Sequence, residues 1–298
     1  MTKRFLSLLL AGLTVPAYAA PAPALPDADP AIWVVRDPDT TVYLFGTVHA
    51  LDGKRDWFND EVKAAFDASD EVVLEIIPPE DIAALQGSIG KYMFDPSGRT
   101  LTSKLSPEGQ KRLAATLTGH GLKPTALDKY KPFFASMTLT SLAFQKMGFS
   151  AEAGAEKIIK SAAAAQGKKL GALETIDYQL GLFDGLTEAE QIKLLEGSLK
   201  DGGTMPEEIA GMVASWAKGD AAKVAALLNQ TDLESPTLYK VLLVDRNRIW
   251  ADWIVERMKR PGTVFIAVGA GHLGGKDSVQ RLLNKRNIRS SRVPSPKK

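Results

Sequence analysis

Two histidines of this chain each follow a short apolar segment that stops at a glycine. Residues 42–45 lead into Gly46-Thr47-Val48-His49, and residues 263–268 lead into Gly269-Ala270-Gly271-His272. The chain has only three histidines, and two of them lie in this arrangement. Apolar runs of this length that end at glycine are typical of buried strands. The pattern predicts two strands that deliver their histidines to the edge of a sheet.

Two carboxylates occur in similar settings. Glu75 interrupts the apolar run 71–77, and Glu174 follows the predicted strand 168–173. Functional sites of open α/β sheets form beyond the carboxyl ends of parallel strands, so these carboxylates and the two histidines converge if their strands are neighbours. Two imidazoles with one or two carboxylates suit a divalent metal such as Zn²⁺, Mn²⁺ or Fe²⁺. They equally suit general acid–base catalysis, since imidazole titrates near neutral pH.

Each of these residues also has a purely structural interpretation. A histidine after a strand can be a satisfied packing residue. Glu75 can lie on one face of an edge strand, and Glu174 can cap a helix that starts at Thr175. His120 lies between two glycines at a predicted helix end, which indicates a turn residue.

Arg246 and Asn247 lie between apolar stripes of the long helix predicted over 236–259. A guanidinium there could bind a carboxylate or stabilise an oxyanion. The structural alternative is a salt bridge with Asp245, Asp252 or a carboxylate at the sheet end.

The glycines at the two strand ends have a physical role of their own. Gly46, Gly269 and Gly271 permit positive φ and close backbone approach, and successive amides there could bind an anion. The stretch from Gly269 to Gly274 also matches G-x-G-x-x-G. A dinucleotide site needs an acidic residue about twenty positions later, and this chain has basic residues at 289–292 instead. No nucleotide cofactor is expected.

Composition limits the function classes. The chain has 298 residues, a net charge of +2 and no cysteine, so neither nucleic-acid binding nor a disulfide framework is indicated. Lys3 and Arg4 precede an apolar run that ends in Ala17-Tyr18-Ala19, which predicts a signal peptide over 1–19 cleaved after Ala19. The mature protein is therefore expected to be periplasmic or secreted, with no transmembrane anchor.

The rest of the chain predicts one α/β domain, with α+β as the alternative. Residues 20–30 form an Ala/Pro-rich leader, 31–293 the domain, and 294–298 a flexible tail. Strands come from both chain ends, a hairpin first and a possible edge strand over 288–293 last, and form a mixed central sheet flanked by helices. Helices fill the middle, about 80–165 and 187–260.

These motifs resemble the TraB/GumN family, which is related to the Tiki proteases and more distantly to erythromycin esterases and ChaN haem-binding proteins. The resemblance covers about residues 30–293. It is carried by motifs listed here in chain order: Phe45-Gly-Thr-Val-His49, Val73-Leu-Glu-Ile76, Gly171-Ala-Leu-Glu-Thr175, Arg246-Asn247 with Trp250, and Val268-Gly-Ala-Gly-His-Leu273. Where relatives often have Gly-Val/Ile-Asp, this chain has Gly154-Ala155-Glu156.

The resemblance implies a mixed α/β core with a helical insertion. It also implies a site of His49, His272 and Glu75, with Arg246 nearby. Tiki-like members are divalent-metal-dependent peptidases, and the esterase relatives hydrolyse with similar residues. GumN-type proteins are associated with exopolysaccharide gene clusters.

The leading hypothesis is an exported hydrolase that uses Mn²⁺, Co²⁺ or Zn²⁺ to cleave a peptide, ester or glycan substrate. His49, His272 and Glu75 would hold the metal, and Arg246 would stabilise the oxyanion. One alternative is a non-catalytic binding or polysaccharide-biosynthesis accessory protein with a metal, haem or glycan ligand. Another is a metal-free esterase.

Overall fold

The structure is a computed structural model that describes residues 24–79, 81–200, 205–228 and 235–295. The predicted signal peptide, the start of the leader and the end of the tail lie outside these ranges. Among the described residues, no helix combines the length and apolarity needed to cross a bilayer.

The core of the fold is a six-stranded mixed sheet with the order β4-β3-β5-β2-β1-β6. The strands are β1 (Ile32–Arg36), β2 (Thr40–Thr47), β3 (Glu71–Leu74), β4 (Lys169–Ala172), β5 (Gly262–Gly269) and β6 (Ser290–Arg292). The first two form the predicted antiparallel hairpin, and β6 pairs with β1 at one edge. This confirms a mixed α/β architecture with strands from both chain ends.

The strands β4, β3, β5 and β2 run parallel to one another. Gly46 is opposite Val268, Leu74 is opposite Ala267, and Leu74 is also opposite Ala172. Because the register is this close, the four carboxyl ends lie side by side at one edge of the sheet. The residues that follow these strands therefore meet.

Both faces of the sheet are buried, which explains the nearly continuous apolar sequence of β2 and β5. One face, which includes Phe45 and Phe265, packs with Trp57 and Trp216 in one core cluster. The opposite face, which includes Leu44 and Ile266, packs against Trp250 and Ile254. These two layers fix the strand ends rigidly.

Helices fill the sequence between the strands. Those up to β4 are α1 (Asp60–Asp67), α2 (Ile82–Met93), α3 (Leu101–Lys104), α4 (Pro107–Gly119), α5 (Pro132–Lys146) and α6 (Ala155–Ala165). Those after β4 are α7 (Ile176–Asp184), α8 (Glu188–Lys200), α9 (Met205–Ala217), α10 (Ala221–Leu228), α11 (Pro236–Tyr239), α12 (Asp245–Arg257) and α13 (Val279–Lys285). The leucines of α3, α4, α5 and α8 form a separate apolar cluster away from the sheet.

The long helix predicted over 236–259 is interrupted. A π-helical segment, Lys240–Val244, separates α11 from α12. Such segments are rare in helices and are frequent at functional sites. Here the segment directly precedes Arg246.

The predicted strand 71–77 is shorter than its apolar sequence indicates. β3 ends at Leu74, so Glu75 lies just beyond the strand rather than within it. Its carbonyl still accepts the amide of Glu174 at 2.8 Å. The side chain of Glu75 is hydrogen-bonded to Gly269 and Arg246. Pro78 and Pro79 follow, and they prevent further strand pairing because proline has no amide hydrogen to donate.

Candidate functional site

Glu75 lies at the centre of the carboxyl-end edge of the sheet, with 8 % of its side chain exposed. Its Oε1 accepts the amide of Gly269 at 2.6 Å. Its Oε2 accepts Nη2 of Arg246 at 2.7 Å and Nε2 of Gln179 at 3.0 Å. Burial by itself would raise the pKa of Glu75, but the groups that face it, among them Arg246, His49 and the Gly269 amide, hold that pKa well below its ordinary value. Glu75 is therefore a buried, ionised carboxylate.

Arg246 bridges the two buried carboxylates. Its Nε donates to Oε1 of Glu174 at 2.9 Å, and its Nη2 donates to both Glu174 and Glu75. Its Nη1 donates to the carbonyl of Leu242 at 3.1 Å. The arginine therefore pairs with sheet-end carboxylates, and neither Asp245 nor Asp252 is its partner. Asp245 pairs with Lys240 and Arg248 instead.

Glu174 does not cap the helix that follows it. Thr175 does so, because its hydroxyl accepts the amide of Tyr178 at 3.1 Å. Glu174 turns inward, where it accepts hydrogen bonds from Arg246, from Trp250 Nε1 at 2.8 Å and from Gln179 at 2.9 Å. Only an ionised carboxylate accepts this many donors without offering a proton.

His272 is buried in the short 3₁₀ turn Ala270–Leu273 after β5. Its Nδ1 lies 2.6 Å from Oδ1 of Asn247, whose amide nitrogen donates to the carbonyl of Asp277. That orientation of Asn247 requires Nδ1 to carry the proton, so the lone pair is on Nε2. Nε2 faces Nη1 of Arg246 at 3.1 Å and Oε1 of Glu75 at 3.9 Å. Burial lowers the pKa of His272 to about 3, so the ring is neutral.

His49 stands at the open side of this group, with 73 % of its side chain exposed. Its Nδ1 lies 2.6 Å from Glu156, which also accepts the hydroxyl of Thr47. The attraction of Glu156 raises the pKa of His49 to about 9. Glu156 therefore orients the ring and leaves Nε2 facing the site.

The two histidines and Glu75 meet above Gly269. A β-carbon on this glycine would lie 3.1 Å from Oε1 of Glu75, 3.6 Å from Cδ2 of His272 and 3.9 Å from Nε2 of His49. The sequence brings together Glu75, His272, Arg246, Glu174 and Asn247 in one hydrogen-bonded network, and His49 faces that network from the solvent side.

The glycines at the strand ends act through close approach, and the expectation of positive φ there is wrong. The glycines with positive φ are found elsewhere in the described chain. A β-carbon on Gly46 would lie 3.1 Å from Cα of Ala270, so this glycine lets the ends of β2 and β5 meet. The Gly269 amide is bonded to Glu75, so it does not serve as a free anion donor.

Gly154, for which the sequence predicted no contact, packs directly against the peptide of His49. A β-carbon on Gly154 would lie 2.1 Å from the carbonyl oxygen of His49, which no real structure tolerates. The next amide, of Ala155, donates to the carbonyl of Val48 at 3.1 Å. Gly154 and Glu156 thus fix the backbone and the ring of His49 from one short segment.

Charge in the buried part of the site does not balance. Glu75 and Glu174 contribute two negative charges, Arg246 contributes one positive charge, and His272 is neutral. One negative charge remains in a region where charges are weakly screened. Such a site favours an additional cation.

The residue types suit the divalent metal that the resemblance implies, but the ligand atoms of His49, His272 and Glu75 do not all lie within 4.8 Å of one another, so metal binding would need these side chains to draw closer. Each histidine has its Nδ1 bonded to an acceptor, Glu156 or Asn247, so Nε2 is the ring nitrogen that faces the site. With a pKa of about 9, His49 also carries a proton on Nε2 near neutral pH and would have to lose it to bind a metal. Glu75 adds a carboxylate oxygen close to His272. One contact competes with metal, the hydrogen bond from Arg246 to Nε2 of His272. Among the described residues, the group whose three ligand atoms do lie within 4.8 Å of one another is Asp27, Asp29 and Asp60.

Comparison with known proteins assigns the class. The sequence profile of the TraB/PrgY/gumN family matches residues 31–292, which cover the whole sheet and every residue of the network. The chain belongs to the TraB/PrgY/gumN family.

The relatives are distant. The chain is 27 % identical to the uncharacterized protein YbaP of Escherichia coli (strain K12) over 188 residues, 63 % of this chain and 69 % of YbaP. It is 22 % identical to an uncharacterized protein of Treponema pallidum (strain Nichols) over 273 residues, 86 % of this chain and 80 % of that protein. No solved structure matches the chain.

Proposed function

We propose that this protein is an exported, divalent-metal-dependent hydrolase that cleaves peptide or ester bonds at the carboxyl-end edge of its sheet. The observation that carries the proposal is the convergence above Gly269 of a carboxylate oxygen and two imidazoles. The uncompensated negative charge of Glu75 and Glu174 favours a cation at the same place.

Oε1 of Glu75, Nε2 of His272 after release of Arg246, and Nε2 of His49 after loss of its proton would hold the metal. When bound, such a metal polarises a substrate carbonyl and lowers the pKa of a coordinated water toward about 7. Asn247 keeps the ring of His272 in the tautomer with the lone pair on Nε2, and Glu156 orients the ring of His49 with Nε2 toward the site. The open position of His49 leaves room for a substrate to approach from solvent.

Arg246 supplies the fixed positive charge of the site. Its Nε and Nη2 are held by Glu174, so the guanidinium is pre-oriented beside His272. A donor in this position stabilises negative charge that develops on a carbonyl oxygen during attack by water. The apolar layers on both faces of the sheet keep this arrangement rigid.

A second candidate is a metal-free esterase with the same residues. One observation favours it, because Nε2 of His272 already accepts a hydrogen bond from Arg246. In that reaction Glu75 and His49 would handle the proton of the attacking water, and no ligand position would be needed on His272.

The test is hydrolysis by the mature protein, freed of metal and then supplied with Mn²⁺, Co²⁺ or Zn²⁺, on a library of peptides and esters. We expect turnover that needs added metal and that His49→Ala and Glu75→Ala abolish. Turnover that survives a chelator assigns the metal-free esterase. Binding of metal, haem or glycan without turnover would overturn the hydrolase assignment and favour an accessory binding protein.

A further inference from the structure

Positive charge is concentrated in the segment that follows the loop after β5. Residues 278–298 contain seven lysines and arginines and no aspartate or glutamate. The whole chain has a net charge of +2, so residues 1–277 have a net charge of −5. Five of the basic residues lie on α13, in the loop after it and on the outer strand β6: Arg281, Lys285, Arg286, Arg289 and Arg292. The nearly balanced total charge therefore includes a local excess of positive charge around β6.

Three of these side chains are exposed and have no carboxylate beside them. Arg281, Lys285 and Arg289 form no ion pair with any residue that the structure describes. Arg286, in contrast, donates to Asp252 of α12 at 2.5 Å. The three exposed cations, called the basic patch below, therefore play no part in the charge balance of the fold.

The basic patch is continuous. Arg281 and Lys285 are four positions apart in α13, so they lie on the same face of that helix. Beside them lies an open hollow of about 510 Å³, lined by Asn284, Asn287, Arg289 and Ser290. Since Asn284 and Lys285 are consecutive residues of α13, the hollow adjoins the helix face. Its two amides, one hydroxyl and one guanidinium are hydrogen-bond donors that suit a phosphate ester.

We propose that the basic patch holds the protein against a bilayer surface with anionic phosphate headgroups, and that the hollow beside Arg289 accepts one headgroup. Each basic residue close to such a surface strengthens binding about fivefold. The proposal requires neither turnover nor a metal.

Two features favour a bilayer over a nucleic acid. Nucleic-acid strands stack on exposed aromatic side chains, and Trp33 on the neighbouring strand β1 is covered by Arg292, whose guanidinium lies 5.3 Å from the ring centre. On α12, Ile249 is 49 % exposed, about one turn before the Asp252 that pairs with Arg286. Exposed apolar side chains next to basic ones favour the headgroup region of a bilayer.

The hollow lies toward the opposite end of the sheet from the candidate site. Ser290 is opposite Val35, and Val35 is opposite Val42 near the start of β2. His49 follows the other end of β2. A protein held by this patch therefore keeps the carboxyl-end edge of the sheet turned away from the bilayer.

The test is sedimentation with vesicles of equal parts phosphatidylglycerol and phosphatidylcholine, and with vesicles of phosphatidylcholine alone. Wild-type protein should bind the first kind at low salt and dissociate as the ionic strength rises, because salt screens the charges. A triple variant with Arg281→Gln, Lys285→Gln and Arg289→Gln should bind on the order of 100-fold more weakly. These side chains are exposed, so the variant should keep the wild-type fold, which circular dichroism checks.

A second triple variant, with Lys111→Gln, Lys123→Gln and Lys146→Gln, is the matched control. These lysines are exposed on α4, in the loop after it and on α5, and their replacement removes the same three charges. The control should bind the anionic vesicles as the wild type does. An equal loss in both triple variants would mean that only total charge matters, and it would overturn the basic patch.

Other results would also overturn the proposal. Wild-type protein that does not bind the anionic vesicles, or that binds both kinds equally, has no anionic-headgroup surface. Tighter binding to a DNA oligonucleotide than to the vesicles would assign the patch to nucleic acid instead. None of these results changes the standing of the proposed hydrolase, whose readout is turnover.

Discussion

Asn247 and His272 are joined by a 2.6 Å contact between Oδ1 and Nδ1, and Asn247 is itself fixed by its 2.8 Å bond to the carbonyl of Asp277. This relay sets the tautomer of the buried histidine. The two hydrogen bonds connect the carbonyl of Asp277, in the loop after β5, through Asn247 on α12 to the ring of His272. The orientation of one amide thus determines which nitrogen of His272 faces Glu75 and Arg246.

Replacement of Asn247 should change the ring chemistry of His272. Asn247→Leu removes the acceptor for Nδ1–H while it keeps the volume, so Mn²⁺ affinity should fall by roughly 10–100-fold. Asn247→Asp retains the acceptor and should stay closer to wild type. Calorimetric titration of both variants checks this. Equal affinity of the Leu variant and wild type would show that the relay has no influence on the site.

The charge state of His49 should depend on Glu156. In the wild type, Glu156 raises the pKa of His49 to about 9. Since the folded pKa exceeds the unfolded one, near 6.5, the pairing contributes stability that is complete below about pH 6.5 and disappears as the pH rises through about 9. Glu156→Gln should move the titration of His49, followed by NMR and assigned with His49→Asn, to lower pH. An unchanged midpoint would mean that the pair does not form in solution.

A methyl group at position 154 should displace His49. Because the β-carbon of Gly154→Ala would lie 2.1 Å from the His49 carbonyl oxygen, the backbone must move, at a cost of about 1–3 kcal/mol or more in the free energy of unfolding. Gly197→Ala is the control, since Gly197 lies inside α8 with no atom within 4 Å of its β-carbon. That variant should gain roughly 0.5–1 kcal/mol. Urea denaturation distinguishes the two, and similar effects would contradict the crowding argument.

Acid should lower the stability of the protein by protonating Asp95, which follows α2 and pairs with Lys104 at the end of α3. The ammonium of buried Lys104 bonds to Asp95, whose side chain is 7 % exposed. Burial opposes ionisation of Asp95, but Lys104 and Ser97 lower its pKa to about 2. The folded pKa lies below the unfolded value, so the pairing contributes about 1–2 kcal/mol above pH 4 and is lost as the pH falls toward 2.

Asp95→Asn should therefore flatten the loss of stability between pH 4 and pH 2, measured by urea denaturation at each pH. Glu108→Gln is a surface comparison, because its ion pair with Arg112 is exposed to solvent and its loss should leave the pH dependence of stability unchanged. A wild-type pH dependence in Asp95→Asn would rule out Asp95 as the titrating group.

The sequence allowed the convergence of the site to be predicted because apolar runs ending in Gly-x-x-His mark strand ends directly. Parallel strands then place His49, Glu75 and His272 at one edge. The pairing of Arg246 with Glu75 and Glu174 was only one of several alternatives, since a helix position does not specify which of several carboxylates lies opposite. Tertiary structure was needed to decide among them.

Other contacts had no signal in a single sequence. Gln179 bonds to Glu75 across 104 residues of sequence, and an amide on a helix surface looks like any solvent-exposed residue. Gly154 was noted only as the first residue of Gly154-Ala155-Glu156, without a contact assigned to it. Its function depends on the His49 carbonyl, which lies more than a hundred positions earlier in the chain. The end of β3 at Leu74 was missed because apolar content predicts burial and does not predict where ladder pairing stops.

The strand order has a consequence for how the protein acquires its site. β2 pairs along its full length with β5, and β3 pairs with β5 on the other side, although more than two hundred residues separate β2 from β5 in the chain. Contacts this distant in sequence are the slow ones in folding. A growing chain that ends before residue 262 has His49 and Glu75 but lacks β5, the strand that lies between β2 and β3. The site therefore cannot form in stages during synthesis. It forms only when nearly the whole chain is available.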